Sequence, residues 1–384
     1  MLGMDKAVEP ANTLPRDMVL PGRLLQWAGC LACFGEVAAS FGERGVVIYG
    51  RSAGRSGTLG QVLEGLPSDG VLAWRYDGGE PTLEQVEDVL QVARGHGAQW
   101  IAGIGGGSVM DCAKAAAGLL HAPGAVAEYH AGREIGGDGV PFLAVPTTAG
   151  SGSEATMVAV LSDPLRGVKR SIRHPHFVAR AVWLDAEVMQ GLSAQQAACS
   201  GMDALVQAIE SYCSRNRTWF TDAMARQAMQ LILACIERFF ADRRDVQSAQ
   251  GMLMGSYLAG LALSGARLGV VHGLAHPVGM QAGLGHGLVC AMALPHVLRF
   301  NRESDAKRFA ELDVIFGGSV DATVERLLKV LGIPSDTGKP LPEALGGMID
   351  EVVISGSTAA NPREVTRADA SALLRALYRA SDVE

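Results

Sequence analysis

The chain has 384 residues, 48% of them hydrophobic and 19% charged, with a formal net charge of -7. That length and composition can bury a large core and suit two domains better than one, while the acidic balance, without a Lys/Arg block or aromatic-basic interleaving, gives no support to a nucleic-acid partner. No apolar run reaches the roughly 18 to 20 residues of a membrane span, and Asp5, Glu9 and Pro10 interrupt the stretch where a signal peptide would be apolar, so a soluble, cytoplasmic protein with no membrane partner is expected.

In chain order, four short apolar runs read as strands: 45–50, 70–76, 99–107 and 140–148. Helical stretches separate them. The clearest is 82–97, where Leu83, Val86, Val89, Leu90 and Ala93 form one apolar stripe and Thr82 with Gln85 makes a capping-box pattern. Strand and helix alternating in this way predict a parallel sheet with helices on its faces, which binds ligands at the carboxyl ends of its strands. After about residue 190 the sequence turns rich in Ala, Leu and Met with long 3.6-period stretches, predicting an all-helical region. The change falls near Leu184–Asp185, giving an α/β domain over 1–187 and a helical domain over 188–384. Seven cysteines, an odd number, argue against a disulfide framework, and Cys30 and Cys33 read as buried thiols because no second pair or nearby histidine completes a zinc site.

Two loops carry phosphate-binding chemistry. Gly103, Gly105, Gly106, Gly107 and Ser108 stand between an expected strand, the third of the four, and a helix. Consecutive glycines there allow positive φ angles and close approach to a ligand, and free helix N–H groups attract phosphate. A second loop, 146–156, brings the hydroxyls of Thr147, Thr148, Ser151 and Ser153 to another strand end. A pyrophosphate fits the pair, although a plain strand-to-helix turn explains the glycines alone equally well. The first expected strand ends in Gly50, Arg51 and Ser52, with Arg55 beyond, where NAD-selective enzymes often place a carboxylate for the ribose. Nothing acidic repels a 2′-phosphate there and two arginines are near, so NADPH is acceptable or preferred. Both arginines facing solvent is the competing reading.

In the helical half, Asp203 stands four residues before Gln207, and His272 four before His276, with His286 following. Residues four apart share a helix face, so each pair points two polar groups into one space, as a metal or substrate pocket requires.

The segments 79–82, 105–114, 146–154, 201–212, 272–279 and 286–301, in that order, together with Asn361-Pro362-Arg363, resemble the iron-containing, or group III, alcohol dehydrogenases. The likeness runs over most of residues 30–375. It implies a dehydroquinate synthase-like architecture: an α/β NAD(P)-binding domain, an all-α domain, and a cleft between them holding nicotinamide, substrate and a divalent metal, Fe2+ or Zn2+. It also implies a homo-oligomer, a dimer, and adds Asp111 to the cofactor-binding residues. The ligand positions fall on Asp203, Gln207, His272 and His286, with glutamine where the family has histidine. An amide oxygen is a weaker donor than imidazole. Either three strong ligands hold the metal with Gln207 as a weak fourth, or the site works without metal, as maleylacetate reductases of this superfamily do. Retained Asp203 favours the metal.

The implied reaction is reversible hydride transfer between nicotinamide and the carbonyl carbon of a small aldehyde or ketone, the metal polarising the oxygen and His276 relaying the proton. Without metal, His272 and His276 would donate hydrogen bonds to the oxyanion instead. Arg267 is a candidate partner for an anionic substrate, or a surface residue. A dehydroquinate synthase-like enzyme and a non-enzymatic binding protein are the remaining rivals; the six segments and the intact loop with both histidines speak against them. Gly285, where relatives commonly have proline, predicts a looser turn before His286.

Overall fold

The computed structural model describes residues 13–379, so the reading of Asp5, Glu9 and Pro10 lies outside the described residues. The chain groups into two compact units. One holds residues 19–197 and 234–260; the other holds 13–18, 198–233 and 261–379.

The first unit contains a six-stranded parallel sheet in the order β1-β8-β5-β4-β2-β3. Its strands are β1 (Arg23–Leu25), β2 (Gly45–Tyr49), β3 (Val71–Arg75), β4 (Trp100–Gly105), β5 (Phe142–Pro146) and β8 (Ala181–Trp183). All four expected strands are present, as β2 to β5. Val46, Val47 and Ile48 on β2 are all fully buried, as are successive residues of β4 and β5, because helices cover both faces of a parallel sheet and remove any polar alternation. β3, at the edge, is mostly exposed. The strands β1 and β8, three residues each, are too short to leave a periodic signal. The glycine run therefore follows the fourth strand in the chain, not the third. An antiparallel pair, β6 (Val158–Asp163) and β7 (Val168–Arg173), was also not expected from the sequence.

The chain leaves β2 toward one edge as β3 and returns on the other side of β2 as β4, so the strand order reverses between β2 and β4. A ligand crevice opens at the carboxyl ends of such a pair. Helices begin at those ends: α1 (Arg51–Arg55) after β2, and α3 (Gly107–Leu119) after β4. Between them in the chain, α2 (Leu83–His96) has the expected capping box, Thr82 Oγ1 accepting from Gln85 N at 3.1 Å and Gln85 Oε1 from Thr82 N at 3.0 Å, and it buries the expected stripe.

From residue 194 onward the chain is helical, as its composition predicts: α4 (Ala194–Cys213), α5 (Trp219–Ala241), α6 (Val246–Ala266), α7 (Val270–Ala282), α8 (His286–Arg302), with α9 (Leu345–Ile354) later in the chain. Parts of α5 and α6 belong to each unit. No single helix among the described residues is long and apolar enough to cross a membrane. All seven cysteines are free, and Cys30 is buried with its thiol pushed up to about 12 by desolvation.

Candidate functional site

The sheet unit builds a cradle from two loops. Gly106 caps α3 with an extended backbone, φ -81°, and none of the glycines at 103, 105, 106 and 107 takes a positive φ. Close approach, not left-handed backbone, is what demands glycine here. A Cβ on Gly107 would lie 2.7 Å from Ser151 Oγ, and one on Gly106 would lie 3.2 Å from Thr148 Oγ1. The hydroxyls expected from the 146–156 loop thus stand over the N-terminal turn of α3, on which Ser108 also lies, and Thr147 N donates to Gly105 O at 2.8 Å. Free N–H groups of a 13-residue helix, hydroxyls and a strip of backbone without side chains suit a pyrophosphate.

Asp111 and Lys114, one turn into α3, hold the second loop in place. Asp111 Oδ1 accepts from Ser153 Oγ at 2.5 Å and Oδ2 from Val160 N at 3.0 Å. The fully buried Lys114 ammonium donates to the carbonyls of Ser153, Thr156 and Val158. Burial brings the Lys114 pKa down to about 8, against the pull of Asp111. Asp111, expected to touch cofactor, has one oxygen engaged by this loop and the other by β6.

At the end of β2, Gly50 N donates to Ile104 O at 3.0 Å, tying the two strand ends together. Ser52 lies in the first turn of α1. Arg51 is exposed and does not simply face solvent: its guanidinium donates to Asp77 O, beyond the end of β3. A cation is therefore fixed at the carboxyl edge of the sheet.

The helical unit gathers the second set. On α4, Asp203, Gln207 and Glu210 share one face, spaced at i, i+4 and i+7; His272 and His276 come from α7, and His286 opens α8. Asp203 Oδ1 lies 3.5 Å from His272 Nε2 and 3.8 Å from His286 Nε2. Cys290, one turn along α8 from His286, completes a group whose ligand atoms all lie within 4.8 Å of one another. Its Sγ is 3.6 Å from His286 Nε2. Gln207 donates from Nε2 to Asp203 Oδ2 at 3.3 Å.

Glu210, which the sequence reading passed over, orients the first histidine. Its Oε2 accepts from His272 Nδ1 at 2.6 Å and its Oε1 from Val271 N at 2.7 Å. That fixes the proton on Nδ1 and turns Nε2 toward Asp203. Asn361, of the expected Asn-Pro-Arg motif, accepts from Val270 N at 3.3 Å, so two buried side chains satisfy the first free N–H groups of α7.

Desolvation opposes charge on His272, but Cys290, Glu210 and Asp203 outweigh it and hold the imidazole well above its ordinary pKa. Desolvation likewise opposes the Asp203 carboxylate, and His272 and His286 outweigh it, keeping the group below its usual value. The pocket favours positive charge at its centre. Asp203 Oδ1, Gln207 Oε1 and His272 Nε2 are buried without hydrogen-bond partners, and the oxygen, nitrogen and sulfur donors of Asp203, His272, His286 and Cys290 fit a divalent transition metal.

His276 does not join the cluster. It is half-buried, with Nδ1 3.3 Å from Glu351 Oε2 on α9. Arg267 is exposed in a left-handed turn (φ 64°) between α6 and α7, and its carbonyl accepts from Ser211 Oγ. Gly285 adopts φ -66° and ψ 144°, a regular helix-capping conformation.

A parallel sheet whose strand order reverses at a glycine cradle, with a helical Asp/His/His cluster, defines a metal-associated dehydrogenase architecture. The sequence model of iron-containing alcohol dehydrogenases matches residues 21–186, and that of the C-terminal region of the Fe-containing alcohol dehydrogenase family matches 197–378. Lactaldehyde reductase of Escherichia coli K12 is 31% identical over 354 residues, covering 85% of this chain and 90% of its own. Long-chain-alcohol dehydrogenase 1 of Geobacillus thermodenitrificans is 33% identical over 350 residues, covering 85% and 88%. The crystal structure of a 1,3-propanediol oxidoreductase superposes with a TM-score of 0.88 at 28% identity, covering 94% of this chain and 99% of that one. The chain belongs to the iron-containing alcohol dehydrogenase family, and it is an oxidoreductase acting on CH–OH groups.

Proposed function

We propose that this chain interconverts small aldehydes and alcohols with NAD(P)(H), using a divalent metal, Fe2+ or Zn2+, held by Asp203, His272 and His286 with Gln207 beside them as a weak donor. What carries the metal is the set of buried atoms without partners, Asp203 Oδ1, Gln207 Oε1 and His272 Nε2. Each would cost about 1–3 kcal/mol if left unsatisfied, and a cation between Asp203 and the histidines relieves Asp203 Oδ1 and His272 Nε2. When bound, the metal supplies Lewis-acid polarisation of the substrate oxygen and the nicotinamide supplies or accepts hydride.

The chain's own residues position and protonate. Glu210 keeps the proton of His272 on Nδ1, leaving Nε2 as a donor atom. His276, one turn along α7 and steadied by Glu351, relays the proton that the alkoxide oxygen takes up or loses. Gly105, Gly106, Gly107 and Ser108 receive the pyrophosphate, flanked by Thr147, Thr148 and Ser151. Asp111 fixes that second loop. Gly50, Arg51 and Ser52 form the ribose end, where a cation and no carboxylate accommodate NADPH as well as NADH. In this division residues 1–187 carry the cofactor and 188–384 the metal and substrate. A cytoplasmic homodimer completes the reading; seven free cysteines agree with a reducing compartment.

The test follows NADH or NADPH oxidation with lactaldehyde, the substrate named for one relative, and a short series of other aldehydes, before and after metal removal. Activity lost on removal and restored by Fe2+ or Zn2+ supports the proposal. Full activity in metal-free protein would replace it with a metal-independent reductase resembling maleylacetate reductase. No cofactor oxidation with the whole series would remove the aldehyde-reductase reading.

A further inference from the structure

The residue four after His286 changes the donor set. Cys290 is fully buried on α8, facing Asp203, His272 and His286. We propose that Cys290 Sγ is the fourth strong metal ligand of this chain, replacing the imidazole that Gln207 does not supply, and that the resulting Asp/His/His/Cys site selects zinc over iron; this rests on the metal reading above.

The distances support it. Tetrahedral zinc with bonds of about 2.0–2.2 Å to N or O and about 2.3 Å to S separates neighbouring donors by about 3.3–3.6 Å. Three edges of the group measure 3.5 Å (His272–Asp203), 3.8 Å (His286–Asp203) and 3.6 Å (Cys290–His286). The set is thus close to coordination spacing before any ion is added. A cysteine alone would say nothing, but Asp203 Oδ1 and His272 Nε2, on side chains 8% and 6% exposed, have no hydrogen-bond partner and belong to the same group.

Gln207 is arranged differently. Its amide nitrogen donates to Asp203 Oδ2, which orients the carboxylate so that Oδ1 turns toward the histidines. That makes Gln207 a positioning residue. On metal binding, the Cys290 S–H proton passes to solvent as the sulfur–metal bond forms. Thiolate favours zinc over the harder ferrous ion, which lies below zinc in the divalent affinity order as well.

The test uses Co2+ as an optical probe in the full chain, because a thiolate ligand gives cobalt an intense near-ultraviolet charge-transfer band. The expected result is one Co2+ per chain with that band, which Cys290→Ala abolishes and Gln207→Ala keeps. Cys290→Ala also lowers zinc affinity by at least about tenfold, the low end of what loss of even an outer partner does, and lowers the zinc-to-iron ratio bound in anaerobic competition. Should the alanine variant fail to fold, Cys290→Ser keeps the size of the side chain, offers no sulfur, and must lose the band too. Stoichiometric cobalt without the band, or a band that survives Cys290→Ala, overturns the assignment and leaves the metal reading standing. No cobalt bound by the unmodified protein overturns both.

Discussion

Glu210 Oε2 lies 2.6 Å from His272 Nδ1, and both side chains are almost fully buried. A carboxylate so placed fixes the imidazole tautomer, aims Nε2 and raises its basicity. Glu210→Gln keeps the volume and can still accept a hydrogen bond, but it removes the charge. Zinc affinity is expected to fall about 10–100-fold, read as retained metal after dialysis against graded chelator. Unchanged retention would show that Glu210 serves only to cap α7 through Val271 N.

The spacing that locates this centre is legible in the sequence for Asp203, His272 and His286. Cys290 follows His286 at the same four-residue interval, but a cysteine on an apolar helix reads equally as a buried thiol, and only packing against α4 and α7 brings it to the group. Glu210 completes the i, i+4, i+7 face begun by Asp203, yet a glutamate on a helix ordinarily faces solvent, and only tertiary packing buries it. The four longer strands, the α2 stripe and the capping box were written in local pattern. By contrast, β1 pairs with β8, and β8 with β5, across large sequence separations, which no window of neighbouring residues reports. The glycine cradle needs close approach and not the positive φ angles that consecutive glycines also allow. Gly106 and Gly107 answer to the hydroxyls of Thr148 and Ser151 from a different loop, whereas Gly103 and Gly105 make room for Ala113 and Val109 of α3.

Cofactor choice should turn on Gly50 and Arg51. A Cβ at Gly50 would lie 3.3 Å from Val109 Cγ2, a contact that a small shift relieves, so Gly50→Asp is expected to fold. Its carboxylate would repel a 2′-phosphate and accept from ribose hydroxyls. The ratio of kcat/KM for NADPH to that for NADH is expected to drop by about tenfold or more, roughly 1.4 kcal/mol of discrimination. Arg51→Ala should move the ratio in the same direction. A ratio unmoved by both variants would place the ribose elsewhere.

Glu154 offers a pH test. It is 2% exposed, Oε1 has no hydrogen-bond partner, and burial pushes its pKa from 4.5 to about 7 despite Lys114 nearby. Between those values the folded chain keeps a proton that the unfolded chain has released. Stability therefore falls as pH rises through this window, and the whole penalty is present above about pH 7. Glu154→Gln removes it. The variant should match the parent near pH 4 and exceed it at pH 8 by at most about 3 kcal/mol, measured from urea midpoints at each pH. A difference independent of pH would mean that shape, not charge, decides the substitution.

The turn before α8 sets two glycines against each other. Gly285 has φ -66° and open space at its Cβ position, which proline can occupy; Gly285→Pro should stabilise by about 0.4–1 kcal/mol, chiefly by restricting the unfolded chain. Two residues on, a Cβ at Gly287 would stand 2.5 Å from Cys199 O and 3.3 Å from Asp203 Cβ. Gly287→Ala must therefore push α8 away from α4, at a cost of about 1–3 kcal/mol. The displacement separates His286 and Cys290 from Asp203, so metal retention should fall along with the urea midpoint. The proline variant leaves those helices in register and should keep its metal. If Gly287→Ala lost stability but retained metal with unchanged affinity, the close approach of α4 and α8 would be a packing feature unconnected with the donor geometry.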